Sequence, residues 1–218
     1  MRRARSSRGR NSQEGGRTHA ALGFRAHSGW AALVMIAGPL RSPAVIGRQR
    51  IELVDPAIPE ARQPYHAAAG LDLREAEKLV KRCADKAESL ACQALRGVID
   101  DLRKNGHEVV GCGILLASGR PTATLAATLA SHAMIHTAEG EHFRNAIRAA
   151  SKRHDLPVTG VKERELFARG SAELRIFADD LERRVSEMGR LIGPPWAQDQ
   201  KHAALVGWLA LARASKQS

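Results

Sequence analysis

Two histidines and a glutamate, His132, His136 and Glu139, have the types and spacing most suited to chemistry in this chain. They are separated by steps of four and three residues, which place side chains on one line of an α-helix. The other members of that line are apolar, and they are Leu125, Leu129, Phe143, Ile147 and Ala150. Because a buried polar group without a partner costs about 1–3 kcal/mol, the pattern predicts partners for all three polar side chains.

A metal site is one interpretation of this pattern. Histidines four residues apart on a helix can share one metal ion, and a carboxylate can add a ligand or act as a general base. We therefore predict that His132, His136 and Glu139 bind a divalent metal (Mg²⁺, Mn²⁺ or Zn²⁺) and take part in catalysis. His27, in the first predicted loop, could approach from a neighbouring strand end.

A helix break is the other interpretation. Thr137 is a residue type that favours caps, and Gly140 costs about 1 kcal/mol relative to alanine inside a helix. If the helix ended here, Glu139 and Glu141 would begin a second helix. Both histidines would then lie near a helix C-terminus, where positive charge is favoured. The sequence leaves the two interpretations open.

The elements that would position these residues follow from the hydrophobic period. A period of two predicts a three-strand meander over 20–24, 30–37 and 45–54. A proline-rich loop at 56–70 precedes a helix of about nine turns, from Leu73 to a stop at Asn105-Gly106. The later elements begin with a buried strand at 109–116 and an Ala-rich helix from Thr122. A further strand at 156–161, a variable helical region at 162–191 and a final helix after Trp196 follow.

Composition predicts one basic domain behind a charged tail. The chain has 218 residues, 44% of them hydrophobic, and a net charge of +11. Residues 1–20 hold six arginines and one glutamate, so they carry +5 and leave +6 for the rest of the chain. We predict that 1–19 is a disordered Arg-rich tail and that 20–218 is a single domain. The basic body is compatible with a polyanionic partner.

The cysteines and the apolar runs bear on the compartment. No run of about 18 uncharged apolar residues occurs, so we predict no membrane-spanning helix and no membrane partner. Cys83, Cys92 and Cys112 form neither a CxxC pair nor an even set, which indicates a reducing compartment. The expected location is the cytoplasm.

The order of elements resembles a known fold. A three-strand meander followed by alternating helices and strands is similar to the mixed α/β sheet of the ribonuclease H-like fold. Within that fold, residues 20–213 most resemble the RuvC-type Holliday-junction resolvases. The motifs that carry the resemblance are the turn Ser28-Gly-Trp-Ala31, the strand start Leu156-Pro-Val158 and the acid-containing helix opening Gln198–Leu205.

The resemblance implies a dimeric, metal-dependent phosphodiesterase whose carboxylates hold divalent cations. Two of the expected carboxylates are missing, because their positions fall near Gly23-Phe24 and Cys112-Gly113. The third corresponds to Asp199, with His202 three residues on, although an Asp at a helix start also suits an N-cap. We expect Asp199, His202 and His27 to share one catalytic cleft with the His132–Glu139 group. A homodimer is compatible with the resemblance.

Three functions remain open from the sequence. The leading hypothesis is a protein of ribonuclease H-like fold that binds DNA or RNA, with nuclease activity either lost or moved onto the candidate residues. The alternative is a metal-dependent hydrolase of a small substrate that uses the His/His/Glu site. The third is an inactive interaction protein.

Overall fold

The computed structural model describes residues 17–118 and 124–216. In these two ranges five strands form one sheet, in the order β3-β2-β1-β4-β5. The strands are β1 (Thr18–His27), β2 (Trp30–Ala37), β3 (Ala44–Glu52), β4 (His107–Leu116) and β5 (Val158–Lys162). The first three form an antiparallel meander, β4 runs parallel to β1, and β5 runs parallel to β4. The predicted mixed α/β sheet is confirmed.

Helices lie before β4, between β4 and β5, and after β5. They are α1 (Pro64–Ala68), α2 (Leu73–Lys104), α3 (Leu125–Leu129), α4 (His132–Arg153), α5 (Leu166–Leu174), α6 (Ala178–Glu187) and α7 (Gln198–Ala214). The long helix α2 begins where the Asp72 side chain accepts a hydrogen bond from the Glu75 amide at 3.0 Å. It ends before Gly106, whose φ of +79° suits glycine.

Helices cover both faces of the sheet, and alternation along β1 assigns its side chains to them. Leu22 and Phe24 pack in one core with residues of α2 and α4. Ala21 packs with α7 on the opposite face. Residues 203–212 of α7 are all buried, because α5 and α6 cover the side of α7 that faces away from the sheet.

Helix α7 lies so close to the sheet that two strand positions must be glycine. A Cβ at Gly23 would overlap the backbone carbonyl of Ala203. A Cβ at Gly113, on the neighbouring strand β4, would overlap the carbonyl of Val206. No side chain, and so no carboxylate, fits at these two positions.

The structure moves several predicted boundaries. Strand β1 begins at Thr18, two residues before the expected start of the domain, while residues 1–16 of the predicted tail lie outside the described residues. The loop predicted at 56–70 was wrong, since it contains a 3-10 turn and α1. Among the helices of the two described ranges, none combines the length and apolar character that a membrane crossing requires.

Neither interpretation placed the interruption of the predicted Ala-rich helix where the structure has it. The predicted helix start at Thr122 lies outside the described residues. Helix α3 ends at Leu129, and α4 starts afresh at His132. Helix α4 then continues through Gly140, so a helix break at that glycine was wrong.

Candidate functional site

The candidate residues form two groups on opposite faces of the sheet. His27, Asp199 and His202 belong to the α7 face. The His132–Glu139 group lies on α4, which packs on the other face. Within 17–118 and 124–216, no hydrogen bond or ion pair joins the two groups, so the expected single cleft does not match this placement.

The group on the α7 face is organised by Arg25, a residue that sequence reasoning missed. Arg25 Nη2 donates to Glu163 Oε1 at 2.7 Å, and Arg25 Nη1 donates to Asp199 Oδ1. His27 Nε2 lies 3.0 Å from the same Asp199 oxygen. His202 Nδ1 lies 3.4 Å from Glu163 Oε1. We call these five residues the Arg25 network.

Local structure explains why the network forms. Arg25 and His27 lie two residues apart at the end of β1, so their side chains are on the same face of the sheet and both project toward α7. Asp199 comes from the first turn of α7, and Glu163 follows directly after β5. The ends of two parallel strands and the start of a helix therefore bring two carboxylates to one guanidinium.

The charges in the network stabilise one another. Burial alone would raise the pKa of Asp199, but hydrogen bonds and charge from Arg25 and His27 hold that pKa below its usual value. Burial would lower the pKa of Arg25, yet the carboxylates of Glu163 and Asp199 raise it. The pKa of His202 is lowered, mainly by burial, although Glu163 opposes the shift. The shift favours the neutral form of the His202 imidazole.

Asp199 does not cap its helix, so that interpretation was wrong. The N-cap residue of α7 is Ala197, whose amide donates to Gln200 Oε1 at 3.0 Å. The Asp199 carboxylate is instead neutralised by Arg25. At the two other positions where the resemblance implied carboxylates, the chain has Gly23 and Gly113, whose backbone packs directly against α7. The residues present therefore do not fit the cation-binding carboxylate cluster of the resolvases.

A groove on the outer strands lies beside the Arg25 network. The His27 ring stacks on Trp30, with ring centroids 4.3 Å apart and an interplanar angle of 13°. The Arg50 guanidinium carbon lies 4.0 Å from the centroid of Trp30. We call this cleft of about 230 Å³ the Trp30 groove, and its lining includes Trp30, Arg48, Gln49, Arg50 and Gln200.

On the opposite face, a third histidine joins His132 and His136. The Nε2 atoms of His132 and His136 lie 3.0 Å apart. The His66 ring, from α1, lies 4.9 Å from the His136 ring and 5.6 Å from the His132 ring, centroid to centroid. One ligand nitrogen from each of the three lies within 4.8 Å of the others. We call this trio the histidine cluster.

Glu139 lies behind His66 and not among the clustered nitrogens. Its Oε1 accepts hydrogen bonds from the amides of Tyr65 at 2.8 Å and His66 at 3.0 Å, and lies 3.3 Å from His66 Nδ1. The first amides of a helix have no partner within it and favour a carboxylate, so Glu139 caps the short α1. The predicted direct metal-ligand role of Glu139 does not match this position, which supports His66 instead.

Burial also differs from the prediction. The apolar line implied that His132 and His136 face the core, but both are exposed. The reason is that the buried side of α4 passes through Ile135 and Glu139 at the start of the helix, so that His132 and His136 lie on its exposed side. The alternative that placed both histidines at a helix C-terminus was wrong as well.

Glu139 is 4% exposed, and its Oε2 has no hydrogen-bond partner among the described residues. Burial raises the Glu139 pKa, while the His66 and Tyr65 donors oppose the shift.

Three site residues carried little sequence signal. His66 lies in a five-residue helix that begins at Pro64, too short to show a period. Arg25 could have been found from its i, i+2 relation to His27 on one strand. Glu163 resembles the other charged residues of its segment.

Comparison with known proteins shows similarity in fold. No protein-family model matches the chain, and no curated protein matches it in sequence. The RuvC of T. thermophilus in complex with a Holliday junction substrate is 10% identical, with a TM-score of 0.51, covering 89% of this chain and 95% of that one. A second Thermus thermophilus RuvC structure is 11% identical, with a TM-score of 0.49, covering 90% of this chain and 96% of that one. The chain thus has the ribonuclease H-like fold that the element order predicted.

Proposed function

We propose that this protein binds nucleic acid, branched or duplex DNA above all, at the Trp30 groove. The observation that carries the proposal is the groove itself, whose lining combines the half-buried Trp30 ring with two arginines, Arg48 and Arg50. Phosphates pair with arginine, and bases stack on aromatic rings. A net charge of +11 supports the approach of a polyanion.

Arg50 is free to exchange partners. It pairs with Glu52 at 2.5 Å, but both side chains are at least half exposed, at 50% and 55%. An exposed pair of this kind contributes about 0–1 kcal/mol. A phosphate can therefore replace Glu52 at little cost. A base reaches the Trp30 ring only when Arg50 moves off the ring together with that phosphate.

The fold supports the class of ligand. The T. thermophilus RuvC structure of similar fold is a complex with a Holliday junction, and the likeness extends over 89% of this chain. A four-way DNA junction is therefore the first probe to use, with linear duplex DNA and single-stranded RNA as comparisons.

We further propose that the α7 face does not cleave DNA by two-metal catalysis. Divalent cations need converging carboxylates that carry free charge. Here Arg25 already pairs with both Asp199 and Glu163, and Gly23 and Gly113 offer no ligand. Binding without cleavage is the activity these residues favour.

The experiment is a titration of the labelled junction with the full chain, followed by fluorescence anisotropy at 50 and 200 mM salt. Binding through several phosphates should weaken steeply as salt rises. Arg50→Glu should weaken binding more than Arg103→Glu, a charge reversal of matched exposure at the far end of α2. Equal effects of the two variants, or no binding at 50 mM salt, would remove the proposal. Mg²⁺ or Mn²⁺ should leave the junction uncut.

A further inference from the structure

We propose that His66, His132 and His136 form a zinc site whose third ligand, His66, is oriented by Glu139. The site lies on the α4 face and does not depend on nucleic-acid binding at the Trp30 groove. It differs from the predicted His/His/Glu set, because a histidine from α1 takes the place of the carboxylate. The ion would join two segments of the chain that are 66 residues apart.

The distances suit a single ion. Zinc binds histidine nitrogen at about 2.0–2.1 Å in tetrahedral geometry, which places neighbouring ligand nitrogens about 3.3 Å apart. The nitrogens of His132 and His136 are already 3.0 Å apart. All three ligand nitrogens lie within 4.8 Å of one another, so they reach the tetrahedral spacing with shifts of at most about 1.5 Å.

Glu139 supplies the second, independent observation. Histidines that bind metals usually donate their other ring N–H to a carboxylate or a carbonyl, which fixes the tautomer and the ring orientation. Glu139 Oε1 lies 3.3 Å from His66 Nδ1, and the carboxylate is 4% exposed. This contact leaves Nε2 of His66 as the nitrogen that turns toward the other two rings. Glu139 is thus a positioning residue.

The ligand types select the metal. Three imidazoles and no oxygen ligand favour zinc and disfavour Mg²⁺, which prefers oxygen. Because His132 and His136 are exposed, the fourth tetrahedral position faces solvent and would hold a water molecule. Three protein ligands plus water is the arrangement of catalytic zinc sites, whereas structural sites have four protein ligands.

The test is a zinc titration of the tag-free full chain, without nucleic acid, by calorimetry and by competition with a chromogenic chelator. We expect one bound equivalent, and at least a tenfold loss of affinity in both His66→Ala and His132→Ala. Glu139→Gln should lower affinity about 10- to 100-fold while keeping one equivalent. His19→Ala, at an exposed histidine on β1, should change nothing.

A spectroscopic variant covers the case in which His66→Ala misfolds. In His136→Cys, bound Co²⁺ should gain a thiolate absorption band, because a cysteine at this position would become a ligand. Zinc affinity that falls in His132→Ala but not in His66→Ala would overturn the three-ligand site and leave an exposed pair only. No bound zinc in the parent protein would also overturn it. Neither result changes the junction-binding test, so the two proposals fail separately.

Discussion

Oε1 of Glu139 lies 3.3 Å from Nδ1 of His66, although 73 residues separate the two in the chain. The same oxygen accepts the first free amides of α1, so one buried carboxylate both caps that helix and orients its histidine. A five-residue helix is too short to be stable alone. Its position at the histidine cluster therefore depends on α4.

Loss of the Glu139 carboxylate should destabilise the protein and release α1. In Glu139→Ala the amides of Tyr65 and His66 lose their acceptor, which should cost about 2 kcal/mol or more of the free energy of unfolding. Glu139→Gln keeps an acceptor and should cost less. Urea unfolding and proteolysis at 56–70 measure the two effects. Glu77→Ala, at an exposed helical glutamate, should stay within about 0.5 kcal/mol of the parent. An unchanged stability of Glu139→Ala would contradict the capping role.

The close approach of α7 to the sheet should make Gly113 intolerant of any side chain. In Gly113→Ala the new methyl overlaps the Val206 carbonyl, which is backbone and cannot rotate away. We expect a loss of about 4 kcal/mol or failure to fold. Gly97→Ala is the matched control, because nothing lies within 4 Å of its Cβ position in exposed α2. It should gain about 0.5–1 kcal/mol from helix propensity. A well-folded Gly113→Ala would show that α7 can shift.

Period and composition predict the fold far better than the site. Strand β2 was predicted at its observed ends, and α2 at its observed start and stop, because strong periods and clear stop signals mark them. The site depends on contacts between distant segments. His66 reaches the cluster only because α4 restarts at His132 and its Glu139 holds α1, and neither event has a local signal.

The site residues on the α7 face were also hard to predict from the sequence. Asp199 and His27 could be chosen by residue type, but the cation between the carboxylates is Arg25, whose one sequence signal is its i, i+2 relation to His27. The absence of carboxylates at Gly23 and Gly113 was visible in the sequence. Its packing reason, a helix backbone resting on both glycines, required the tertiary structure.

If the Arg25 guanidinium takes the place of a metal cation between Asp199 and Glu163, removing Arg25 should create a site that binds a metal cation. In Arg25→Ala, the carboxylates of Asp199 and Glu163 face each other without their shared partner, so stability should fall. Added Mn²⁺ should then raise the melting temperature of this variant more than that of the parent. Arg213→Ala is the control, because that arginine pairs with the single carboxylate of Glu173. A Mn²⁺ response no larger than that of Arg213→Ala would count against the idea.

Acid should destabilise the protein through His142, a buried residue of α4 that faces Cys83 of α2. Burial lowers its pKa to about 4 from 6.5, and a hydrogen bond to the Cys83 backbone offsets this only in part. Because the folded-state pKa is the lower one, the unfolded chain binds the proton first as pH falls. Stability is therefore lost from about pH 6.5 downward, until the folded pKa is passed.

The expected loss from His142 between pH 7 and pH 5 is about 2 kcal/mol. Urea unfolding at the two pH values measures it. His142→Gln removes the titrating group, so its stability should change less over this interval by about that amount. His19→Gln replaces an exposed histidine and should keep the parental pH dependence. If His142→Gln lost as much stability as the parent, the buried ring would already be protonated, or solvated, in the folded protein.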